Sequence, residues 1–137
     1  FGTGDPAAFN EFYTDDAVFD VNGIVAEGKE EIEAIYAGTA EDGESPAQQG
    51  VFHMIISNVV VDVEGDTATA RMLWTGVDNN DLRGAPTIRE QGREYDLLVR
   101  QDGRWLIQKR VVVADSGLPE SMVATYDKRE DYDIRSD

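Results

Sequence analysis

The sequence predicts an α+β domain, a curved antiparallel sheet with helices packed on one face. Three observations predict it. Apolar residues recur at helical spacing in two short N-terminal segments, the period changes to two after a polar loop, and the later strands are joined by tight glycine-containing turns. At 137 residues the chain has the size of one domain with a real core.

In DPAAFNEFY, Asp5 is a natural N-cap and Pro6 fits the first helical position. Phe9, Phe12 and Tyr13 then fall at i, i+3 and i+4, which predicts one buried helical face. AVFDVNGIVAEG reads as two short strands around Asn22-Gly23, a strong two-residue hairpin signal. GKEEIEAIYAG predicts a second helix with Ile32, Ile35 and Tyr36 on one face and Gly38 as its C-terminal cap. EDGESPAQQG is a polar loop. Strands follow at about His53–Val63, Thr67–Val77, Arg93–Arg100 and Trp105–Ala114, turning at Glu64-Gly65-Asp66 and Asp102-Gly103. The domain is expected to span residues 1–115, with 116–137 a polar, charge-dense C-terminal arm. The chain opens on Phe1 rather than Met, so an N-terminal stretch, including part of the first helix, is expected to precede it.

Both faces of the strands carry apolar residues. Trp105, Ile107, Val111 and Leu98 share one; Leu106, Val112, Tyr95, Leu97 and Val99 share the other. One face receives the helices, and the other predicts a second copy, a homodimer packed through the sheet.

Composition excludes whole classes of function. Acidic residues outnumber basic ones 28 to 12, for a net charge of −16. That field repels phosphate backbones and anionic membranes, so neither nucleic acid nor membrane is an expected partner. There is no cysteine, hence no disulfide, thiolate nucleophile or Cys–zinc site; a reducing cytoplasm is the expected location. A single histidine among scattered acids makes no zinc site, and no metal is expected. FGTGDP follows no strand and is no phosphate loop. DNNDLRG lacks the oxygen ligands and closing Glu of a calcium loop.

The one histidine, His53, opens the first long strand. In His53–Val63 the odd positions are the more apolar, which predicts that His53 faces inward with Ile55, Val59, Val61 and Val63. A turn centred on Glu64-Gly65 sets Gly76 across from His53; a turn at Gly65-Asp66 sets Asp78 there. Either register keeps Ala68, Ala70, Met72 and Trp74 on the histidine's side. The second hairpin, turned at Asp102-Gly103, pairs Arg100 with Trp105, Leu98 with Ile107, Asp96 with Lys109 and Glu94 with Val111.

Several segments, in this order, resemble the SnoaL-like branch of the nuclear-transport-factor-two-like superfamily. They are FYTDDAVFDVNG, EGKEEIEAIY, the histidine strand ending in VVVDVEGDTATA, and REYDLLVRQDGRWLIQKRVVVAD, together covering most of Asp5 to Asp115. The resemblance implies a cone whose concave sheet and helices enclose a deep pocket, and frequent dimers. It also implies a mixed set of activities: polyketide cyclases, dehydratases, dehydrochlorinases, isomerases, epoxide hydrolases and pocketed proteins without chemistry. If Trp105 and Ile107 point inward, as the family suggests, Glu94, Asp96 and Lys109 do as well, and two carboxylates, an ammonium and an imidazole surround one apolar cavity. The opposite parity puts Tyr95, Leu97 and Val99 inside and leaves the charges in water. Lyase and isomerase members commonly pair the pocket histidine with a first-helix aspartate; Gly2 stands at that place here.

The expectation drawn from these residues is a lyase or isomerase without a cofactor, acting on a small apolar molecule such as a polyketide, terpenoid or steroid-like compound. His53 would move the proton, with Asp96 or Glu94 as its partner. Trp74, Tyr36, Met72 and Phe52 would wall the pocket, with Lys109 inside it and Arg93 at its rim, placed to bind an oxyanion. The alternative is a ligand-binding or structural dimer with no chemistry.

Overall fold

The structure is a computed structural model that describes residues 6–41, 52–79, 83–127 and 133–135. The N-terminal segment closes into a short 3-10 helix, Pro6–Phe12, and passes straight into strand β1, Tyr13–Val21. Here the expected α-helix is corrected. Tyr13 is fully buried, but as a strand residue, while Phe9 and Phe12 are 44% and 58% exposed. A 3-10 turn sets residues three apart on one edge, so the aromatic triad does not share a buried stripe. Phe9 instead lays its ring on Tyr36, with ring centres 4.2 Å apart.

The Asn22-Gly23 turn joins β1 to β2, Ile24–Glu27. Both turn residues have positive φ, 53° and 86°, as a tight hairpin of this hand requires. Helix α1, Gly28–Glu41, follows and runs past the expected cap at Gly38. Ile32 is completely buried under it, which stabilises by about 1.5–3 kcal/mol. The long strands are β3, Phe52–Glu64; β4, Thr67–Asp78; β5, Thr87–Gln101; and β6, Arg104–Ser116.

All six strands form one sheet in the order β2-β1-β6-β5-β4-β3. It is mixed rather than wholly antiparallel, because β1 lies parallel to β6. Asn22 locks that junction. Its backbone N–H donates to the Val112 carbonyl at 2.9 Å, and its side-chain oxygen accepts from the Ala114 N–H at 2.8 Å.

Helix α1 packs on the inner face against β1 and β2. There Tyr13, Ala17, Phe19, Ala26, Ile32 and Ile107 form the core, flanked by Ile35, Tyr36, Leu98 and Val112. The outer face has its own cover from the C-terminal arm. Ile134 is buried on Val111 and Val113 beside Tyr95, Leu97 and Tyr126. The Tyr126 hydroxyl donates to the Ala114 carbonyl, and Arg135 pairs with Glu64 at 2.9 Å. Part of the surface expected to receive a second copy is therefore occupied by the chain itself.

Two bulges decide which side chains share a face. In β3, Ser57 pairs with Leu73 and Val60 with Arg71, so the register slips between them. In the β5–β6 hairpin, Leu97 pairs with Lys109 but Leu98 with Ile107, which leaves Gln108 over.

Candidate active site

The β6 bulge advances Arg110, not Lys109, into the place across from Asp96, and Val112 into the place across from Glu94. Lys109 turns to the outer face with Leu97, and the expected faces of Val111 and Val112 exchange. Paired residues share a face, so Glu94, Asp96 and Arg110 sit on the inner face with Met72, which pairs with Glu94, and Phe19, which pairs with Arg110. Arg110 is the residue that sequence reasoning missed. Its only signal is that it follows another base, Lys109, in a strand where one bulge chooses between them.

Arg110 binds Asp96 with two parallel hydrogen bonds, Nε to Oδ1 at 2.7 Å and Nη2 to Oδ2 at 2.8 Å. The same Nη2 lies 2.9 Å from Glu94 Oε1. Asp96 is only 4% exposed, so this fork neutralises a carboxylate that water scarcely reaches. Burial alone would lower the Arg110 pKa, but the hydrogen bond and charge of Asp96 outweigh it and raise it. Beneath the guanidinium lies the Tyr13 ring, its centre 5.8 Å from Cζ. The Tyr13 hydroxyl is 2.9 Å from that of Tyr36, which α1 supplies and Phe19 stacks. Burial holds Tyr13 well above the usual phenol range, so it is neutral.

Glu94 is the titrating group of this cluster. Burial pushes its pKa up to about 7, against the pull of Arg110 and with the help of Asp96. With Asp96 committed to two of the guanidinium's N–H groups, Glu94 is poised to take or give a proton near neutral pH. Trp74 extends the same face, 5% exposed, with its indole over Gly92.

The expected meeting of imidazole and carboxylates does not occur. His53 pairs with Val77, lies on the outer face and is exposed, with the Asn79 side-chain nitrogen 3.3 Å from its Nδ1. The β3 bulge explains it. Beyond Val60 the odd positions Val61 and Val63 face inward, but before Ser57 the even positions Met54 and Ile56 do. One extra residue thus carries His53 and Ile55 to the other side, away from Ala68, Ala70, Met72 and Trp74. Arg93 is also on the outer face, holding Asp115 with Nε and Nη2 at 3.1 and 2.9 Å. The Phe52 side chain and Gly2 lie outside the described residues. Of the expected set, the structure brings together Glu94, Asp96, Met72, Trp74 and Tyr36, and separates His53, Arg93 and Lys109 from them.

A family model described as a SnoaL-like domain matches residues 2–111. No curated protein matches the chain. Among solved structures, an NTF2-like protein with a cystatin-like fold from Novosphingobium aromaticivorans is 23% identical, with a TM-score of 0.69 over 90% of this chain and 75% of that one. A ketosteroid isomerase-like protein from Erwinia carotovora is 25% identical, with a TM-score of 0.60 over 85% of both chains. A Mycobacterium tuberculosis protein of unknown function is 23% identical, with a TM-score of 0.65 over 83% of this chain, which spans only 62% of that protein's length. No helix among the described residues is long and apolar enough to cross a membrane. With a mixed sheet of the NTF2-like, cystatin-like α+β fold and a family match over most of its length, the chain belongs to the SnoaL-like domain family.

Proposed function

We propose that the protein is a cofactor-independent lyase or isomerase, of the dehydratase, cyclase or isomerase kind, that moves a proton on a small, largely apolar molecule. The observation that carries this reading is Glu94, a carboxyl raised to about 7 on the helix-covered face beside Arg110 and Asp96. Family membership and the isomerase-like neighbour support the reaction class. In this reading Glu94 takes the place intended for His53 as the proton carrier. Arg110 lies within reach of the negative charge that develops on substrate oxygen, and the Tyr13–Tyr36 hydroxyl pair offers a donor.

Deuterium incorporation at the α-carbon of a small apolar ketone, 2-tetralone, followed by NMR, tests the proton step. The wild-type rate is expected to rise with pH through about 7, as a base that works when ionised requires. Glu94→Gln should lose on the order of 10²–10⁴-fold, and His53→Ala should change the rate less than about threefold. Equal rates for Glu94→Gln and wild type would refute Glu94 as the base. A second reading, a binding or structural protein without chemistry, is favoured by one feature: both carboxylates already have Arg110 as a partner, as in a structural ion cluster. No catalysed exchange in any variant would select it.

A further inference from the structure

Three non-glycine residues among those described have positive φ: Asn22, Asp102 and Asn58. The first two occupy hairpin turns, where that conformation is required. Asn58, at φ 52°, lies inside a strand, at the β3 bulge. The bulge accounts for it, since a bulged residue can take the left-handed region that Asn tolerates, at a cost of order 1 kcal/mol.

The bulge borders an open hollow of about 220 Å³ lined by Asn58, Arg71, Met72, Leu73, Arg93 and Tyr95. That is the volume of about seven waters at roughly 30 Å³ each. Two guanidiniums thus converge in a chain with only 12 basic residues against 28 acidic ones. Arg93 is held in place by Asp115 through Nε and Nη2. Arg71 is exposed and makes no ion pair among the described residues. Leu73, 40% exposed, and the Tyr95 ring supply an apolar wall.

From this we infer a second ligand site on the outer face, one that takes a small carboxylate with an apolar body. The Arg71 fork would bind the carboxylate in the planar, two-pronged manner that guanidinium favours. Arg93, its charge balanced by Asp115, walls the site beside it, Asn58 offers an amide donor from the bulge, and the ligand body rests on Leu73 and Tyr95. The site opens on the opposite face from the Glu94 cluster, shares only Met72 with it, and does not depend on that cluster's chemistry.

Benzoate is the probe, titrated into the full chain at low salt and followed by the side-chain Nε–H signals of ¹⁵N-labelled arginine. Saturable shifts at Arg71 are expected, at least tenfold weaker binding in Arg71→Ala, and partial rescue by Arg71→Lys. Arg71 is exposed, so the variant is expected to fold; its unchanged thermal midpoint checks that. Benzamide, the same shape without charge, should bind at least tenfold more weakly, and so should inorganic phosphate, which lacks the apolar body. The proposal is overturned by an absence of shifts at millimolar benzoate, by equal affinity in Arg71→Ala, or by phosphate binding as well as benzoate. It is also overturned if benzoate affinity falls as protein concentration rises, since an acidic side chain of a second copy would then be the true occupant.

Discussion

Glu94 shows how one carboxyl ties the site to stability. Its folded pKa of about 7 lies above the ordinary 4.5, so the folded state holds its proton more tightly than the unfolded chain. The protonated form therefore contributes stability that is fully present below about pH 4.5 and lost as pH rises through about 7, on the order of 3 kcal/mol in all. Glu94→Gln keeps the shape without the ionisation. Urea unfolding is expected to show the variant gaining on wild type between pH 5 and pH 8.5, with little difference at the acidic end. A wild type that loses nothing relative to the variant over that range would mean the carboxyl is not perturbed by burial. Arg110 and Asp96 belong to the same scale. The family resemblance, added to strand parity, led to Asp96, whereas its true partner was hidden because Lys109 and Arg110 differ by a single position of register.

Among the elements, the β4–β5 contact depends on one glycine. Trp74 pairs with Gly92, and a Cβ at Gly92 would lie 2.2 Å from the Val113 carbonyl oxygen and 2.5 Å from the Trp74 ring. Glycine is required there by close approach, not by backbone angle. Gly92→Ala is expected to cost about 1–3 kcal/mol by overpacking, seen as a lowered thermal midpoint and a shifted Trp fluorescence maximum. An unchanged midpoint would show that the indole moves aside freely. Hairpins were legible at this scale, because Asn22-Gly23 and Asp102-Gly103 carry turn chemistry in the residues themselves. Bulges were not. Neither the Ser57–Val60 slip nor the extra Gln108 has a turn residue to announce it, apart from Asn58, whose tolerance of left-handed backbone is visible only once the geometry is known.

For the whole molecule, the same chain covers part of each face of the sheet and leaves β3 open, with Met54, Ile55, Ile56, Val60, Val61 and Val63 exposed. Helix α1 packs on the inner face, and the C-terminal arm reaches Val111 and Val113 on the outer one through Ile134, 4% exposed. An arm that looks polar and solvated along its length contributes one buried anchor. Ile134→Ala is expected to destabilise by about 2–3 kcal/mol, read from the urea midpoint, as a truncation that leaves a cavity. A loss under about 0.5 kcal/mol would mean the arm adds nothing to the fold.

The number of strands and their succession along the chain were determined by sequence alone, as were the hairpin turns, the second helix and the family; the parallel β1–β6 pairing was not. Those features rest on local periodicity and on residues whose backbone preferences act where they stand. Which side chains meet was decided only by the tertiary structure. Side chains alternate with period two, so one unpaired residue in β3 sends His53 outward, and one in β6 sets Arg110 between Asp96 and Glu94. Facing is a property of pairing between strands, and a single strand does not carry it.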